Sequence, residues 1–171
     1  MASRNSALSF PFRLYRGRLR GAILVNARKR LFAIALLALP LAACGRQVGS
    51  VPFSGEGTKS ATLPLTSGSV AFWTDLDVAY EGPATLSYRI ELSQAGRTVA
   101  STTCDPLGKM SVQLGWLDIE RGASHSSRGH GKMLCGVRLA KGGPTLVEAT
   151  LAFGVRPLTA TIKQADLVLK Q

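Results

Sequence analysis

Aspartate and glutamate are absent from the first 44 residues, although that stretch holds Arg4, Arg13, Arg16, Arg18, Arg20, Arg28, Lys29 and Arg30. Beyond Cys44 the remaining 13 of 21 basic residues face all 10 acidic ones, so only +3 of the chain's +11 net charge belongs there. A basic total of this size would ordinarily suggest nucleic acid, but its confinement to a leader removes that argument from the body of the protein. Catalytic signatures are also missing. There is no GxSxG elbow, HExxH pair, phosphate-cradling glycine loop or dinucleotide fingerprint. No segment has the 3.6-residue apolar period of a stable amphipathic helix, which excludes an all-α or α/β reading. With 171 residues, the chain has room for one ordinary domain and an extension.

What the leader does contain is ordered. "NARKR" precedes an apolar run from Leu31 to Ala43. As a helix, this run would reach about 20 Å, short of the roughly 30 Å hydrocarbon layer of a bilayer. An export signal fits that length better than a membrane span. The run closes on Leu41, Ala42, Ala43 and Cys44 and turns polar at Gly45. This quartet resembles the lipobox of bacterial lipoproteins. The resemblance implies a diacylglycerol thioether on Cys44, cleavage before that residue by signal peptidase II, and acylation of the new amino group. It also implies outer-membrane residence in a cell that has one, because Gly45 replaces the aspartate that retains such proteins at the inner membrane. Met1 to Ala27 is long for a basic n-region and, being Arg-rich and acid-free, mimics an organellar transit peptide. Translation from a later start such as Val25 is the simpler expectation. Residues 1–43 are therefore set aside as a signal peptide, and 44–59, rich in Gly and Ser, as a flexible tether.

From 60 to 171 the pattern is one of alternation. Val70, Phe72, Leu76, Val78 and Tyr80 share one side of an extended segment, with Ala71, Trp73, Asp75 and Asp77 on the other. Leu86, Tyr88, Ile90 and Leu92 repeat the arrangement, as do Met110, Val112, Leu114 and Trp116, and then Met133, Cys135, Val137 and Leu139. A period of two marks half-buried strands. Turn residues at Glu81–Pro83, Gln94–Gly96, Asp105–Gly108 and Lys141–Pro144 separate them, and "QAGR" reads as a hairpin turn. About eight strands at this spacing predict an all-β fold, a single antiparallel β-sandwich of jelly-roll or immunoglobulin-like topology.

With Cys44 lipidated, Cys104 and Cys135 remain as an even pair in an exported chain. A disulfide is expected between them, since isolated thiols without CxxC spacing do not suggest zinc. Free buried thiols are the alternative.

Two patches offer chemistry. In "FWTDLD", Trp73 beside Asp75 and Asp77 is suited to stacking on a sugar ring while carboxylates accept its hydroxyls, or to part of a calcium site. The opposing reading has Trp73 facing a second sheet, with the acids lying at the strand end. In "RGASHSSRGHGK", His125, Arg128 and His130 lie in a Gly- and Ser-rich stretch that reads as a solvated loop between strands. Its histidines offer an incomplete metal site or a pH-sensitive contact with an anionic partner. Ser126 and Ser127 beside His125 lack the orienting carboxylate of a triad, and Asp118 and Glu120 would act as a glycosidase pair only in a cleft. No cofactor and no resident metal are expected. The expectation is a lipid-anchored envelope protein that binds a protein or glycan partner. A small envelope hydrolase and a purely structural lipoprotein are the alternatives.

Overall fold

The structure is a computed structural model that describes residues 45–171; the signal peptide and Cys44 lie outside the described residues. Nine strands follow in order: β1 Gln47–Val51, β2 Gly57–Leu65, β3 Gly68–Glu81, β4 Thr85–Gln94, β5 Arg97–Cys104, β6 Met110–Arg121, β7 Ser124–Leu139, β8 Gly143–Val155 and β9 Thr159–Lys170. They form a five-stranded sheet, β1-β9-β3-β7-β6, and a four-stranded sheet, β2-β8-β4-β5. Every pairing is antiparallel.

The pairings nest. β1 pairs with β9, β2 with β8, β3 with β7, and β4 with β5. A long antiparallel ribbon folded over on itself produces this order, and it is the jelly roll of the two expected topologies. β6 is the addition: it follows β5, pairs only with β7 and forms the edge of the larger sheet.

The alternating faces meet as expected. Phe72, Leu76 and Val78 of β3 oppose Leu86, Tyr88, Ile90 and Leu92 of β4, and Val147, Ala149, Leu151, Leu167 and Leu169 complete the buried centre. Tyr88 brings a phenol hydroxyl into it, beside the equally buried Thr74. Its hydroxyl donates to the Ala165 carbonyl at 2.7 Å and lies 3.1 Å from the Thr74 hydroxyl. The "QAGR" hairpin forms as expected, with Gln94 paired to Arg97. Ala95 and Gly96 both have positive φ, at 48° and 75°, as a two-residue type I′ turn demands.

Three expectations are corrected. Of the expected tether 44–59, the described residues 45–59 are folded into the sandwich: Gln47–Val51 is a strand on β9, and β2 starts at Gly57. Pairing with a partner remote in sequence supplies the order that "QVGSV" lacks locally. Gly49 lets the strand approach closely here: a Cβ would come within 2.4 Å of a Leu63 methyl, so that side chain would have to move. The stretch 121–132 is not a loop either. Only Gly122 and Ala123 turn, and β7 runs from Ser124 straight through both histidines. β3 on one side and β6 on the other hold this Gly- and Ser-rich strand extended. Finally, β6 does not keep Met110, Val112, Leu114 and Trp116 on one face. Its register shifts between Met110 and Val112 and again between Leu114 and Leu117, and each extra residue reverses which side faces inward.

Cys104 and Cys135 are disulfide-bonded, with Cα atoms 5.5 Å apart. The bridge joins the end of β5 to β7, and so ties the four-stranded sheet to the five-stranded one.

Candidate functional site

Trp73 stands on the outer face of the larger sheet, on the opposite side of β3 from Phe72. It is nevertheless only 2 % exposed. Lys170 of β9 places Nζ 3.7 Å from the centroid of its ring. His130 of β7 stacks on it, with centroids 4.8 Å apart and planes inclined by 18°. Cation–π attraction and stacking of this kind favour the closed arrangement. The expected sugar platform is therefore already covered by the protein's own side chains. The indole Nε1 is buried and has no hydrogen-bond partner among the described residues.

His130 links two charged neighbours. Its Nδ1 contacts Asp75 Oδ1, and its Nε2 lies 3.1 Å from Lys170 Nζ. An ammonium can only donate, so Nε2 accepts, and the ring proton sits on Nδ1, where it donates to Asp75. An imidazole oriented by a carboxylate is half of a general-base arrangement. Here the other nitrogen is occupied by an ammonium rather than a hydroxyl or thiol. Next along the face, Arg128 Nε is 3.6 Å from Asp77 Oδ2, with the guanidinium largely exposed. A pair in that setting contributes at most about 1 kcal/mol.

The expected residues thus divide. Trp73, Asp75, Asp77, Arg128 and His130 come together on one face. His125 does not join them, because five residues along a strand is an odd step, and it emerges on the other side. There it stacks on Tyr80, centroids 5.1 Å apart, and its Nδ1 lies 3.4 Å from Glu120 Oε1. The two histidines cannot share a metal ion, and no group of three metal-ligating side chains forms among the described residues. Burial raises the Tyr80 pKa above its ordinary value of 10, and the charges of Asp118, Glu120 and Asp105 add to the rise. Asp118 in turn accepts from the Trp116 indole at 2.8 Å. Two open grooves have volumes of about 360 Å³ each, and one of them holds the carboxylate of Glu56, which Arg156 engages at 2.8 Å.

One part of this face was not anticipated. Register places Leu114 opposite His130, Leu117 opposite Arg128 and Ile119 opposite Ser126. These three side chains form an aliphatic row along the edge strand, 52 %, 54 % and 38 % exposed. The ionic ladder of β3 and β7 therefore borders an uncovered apolar edge. The bulge at Gly115, φ +58°, brings this row into line, and simple alternation hides it.

No family model and no curated protein matches the chain. Among solved structures, the chain is similar to one in the structure of infectious bursal disease virus Gt strain. The identity is 14 % and the TM-score 0.32, over 72 % of this chain and 31 % of the viral one. The match thus spans less than a third of the viral chain's length.

Proposed function

We propose that this protein is a bacterial lipoprotein, held at an envelope membrane by lipid on Cys44, whose jelly roll engages a protein partner. The observation that carries the reading is the Leu41-Ala42-Ala43-Cys44 quartet at the end of an apolar run too short to span a bilayer. The disulfide between Cys104 and Cys135 is consistent with export to an oxidising compartment. A protein is favoured over a glycan because Trp73, the ring that would stack on sugar, is covered by His130 and Lys170. The open aliphatic row of β6 beside fixed charges has the character of a protein contact surface instead.

The anchor is tested by feeding cells a clickable palmitate analogue. The wild-type protein should incorporate label and sediment with membranes, while Cys44→Ala should remain unlabelled and uncleaved. Label that persists in Cys44→Ala, or an unlabelled wild type, would reject the lipoprotein reading.

A further inference from the structure

The two ends of the sandwich differ in charge. At one end lie the start of β1, the end of β9, the β2–β3 turn, the β4–β5 turn and the β7–β8 turn. Hydrogen bonds confirm that these parts meet. Arg46 and Gln171 exchange backbone bonds at 2.6 and 3.0 Å, Gln171 Oε1 accepts from the Thr66 N–H at 2.8 Å, and Gln94 Nε2 donates to the Lys141 carbonyl at 3.2 Å. The exposed charged side chains here are Arg46, Arg97, Arg138 and Lys141. Among the described residues, positions 45–47, 65–69, 93–98, 138–145 and 169–171 contain no Asp or Glu, and the nearest carboxylate is that of Glu91, which accepts from the Thr98 hydroxyl. An open groove of about 360 Å³ between Arg46, Val48, Pro64, Thr66 and Gln171 lies at the same end. The opposite end carries Glu56, Glu81, Asp105, Asp118 and Glu120 against Lys109, Arg121 and Arg156.

The basic end is also where the chain enters the fold. Arg46 is already hydrogen-bonded, so a single residue, Gly45, separates Cys44 from the paired structure. Two residues of extended chain reach at most about 7 Å, which is within the roughly 8 Å screening length at physiological salt. A lipid on Cys44 would leave the cationic end no room to stand clear of the headgroups.

We infer that this end, built on Arg46, Arg97, Arg138 and Lys141, is a docking surface for anionic phospholipid headgroups and sets the domain upright on the membrane. The inference rests on the lipoprotein reading for the position of the anchor, but the surface itself can be tested without lipid. Residues 45–171 enclose their own core and pair their own ends, so the mature chain carrying Cys44→Ser can be used. It is mixed with vesicles of phosphatidylethanolamine and phosphatidylglycerol, or of phosphatidylcholine alone, and sedimented. Binding should be selective for the anionic vesicles and should vanish as salt rises. Removing two surface cations with Arg97→Gln and Lys141→Gln should weaken it by roughly 30-fold. The same charge change at the far end, Lys109→Gln with Arg121→Gln, should leave it unaltered. Equal binding to both vesicle types, no binding, or equal loss in the two double variants would overturn the inference. Palmitate labelling separates the two readings. Vesicle binding without label on Cys44 removes the anchor and retains the surface, and label without vesicle binding does the reverse.

Discussion

At the scale of single residues, Tyr88 shows how one polar atom conditions the core. Burial drives its pKa far above the ordinary value of 10, with the charges of Asp166 and Asp75 adding to the rise and the Thr74 hydrogen bond opposing it. A phenol with a raised folded-state pKa contributes stability that is fully present below pH 10 and is lost as pH climbs through the folded value. The melting temperature should therefore fall steeply above pH 10, and Tyr88→Phe should flatten that fall. At neutral pH the same variant should cost about 1–3 kcal/mol, because it leaves the Ala165 carbonyl and the Thr74 hydroxyl short of a partner. Parallel melting curves for the two proteins between pH 8 and 12 would count against this assignment. Trp73 shows the limit of local reading. Its outward direction follows from its place one residue after Phe72. Its cover comes from Lys170 and His130, on strands whose proximity no nearby residue announces.

At the scale of elements, legibility follows the number of buried faces. β3 and β4 were readable because each presents a largely apolar row to a core, interrupted in β3 only at Thr74. β7 was not, because its first half, "SHSSRGHG", is extended by its two neighbours rather than by its own side chains. β1 is five residues long, too short for a period to register. β6 was half legible: its strand character is plain, but its bulges invert the faces. That inversion is what exposes Leu114, Leu117 and Ile119 on a strand whose outer backbone edge is unpaired among the described residues, a combination that invites association. A photo-crosslinking amino acid at Leu117 should give a discrete adduct in cells, while one at Leu158, 82 % exposed in the β8–β9 turn, should not. Adducts at both positions, or at neither, would remove β6 as the contact.

At the scale of the whole molecule, a disulfide links the two sheets in addition to the chain segments that cross between them. The Cys104–Cys135 bridge spans 31 residues and encloses β6, the turn into β7 and β7 itself as far as Cys135. Closing a loop of that length is worth roughly 3.5 kcal/mol in the chain-entropy account. Cys104→Ala with Cys135→Ala should lower unfolding free energy by about that amount in denaturant titrations. A loss below about 1 kcal/mol would show that core packing alone sets the stability. The pairing of Arg46 with Gln171, and of β1 with β9 beyond it, has a mechanical consequence. β1 begins at the end where Gly45 enters the fold and runs away from it, so under the proposed lipid anchor a pull between membrane and partner would act along the strand. The rungs to β9 are then strained together, as in a lap joint, rather than opened singly like a zip. A five-residue strand in that geometry is a firmer attachment than its length suggests.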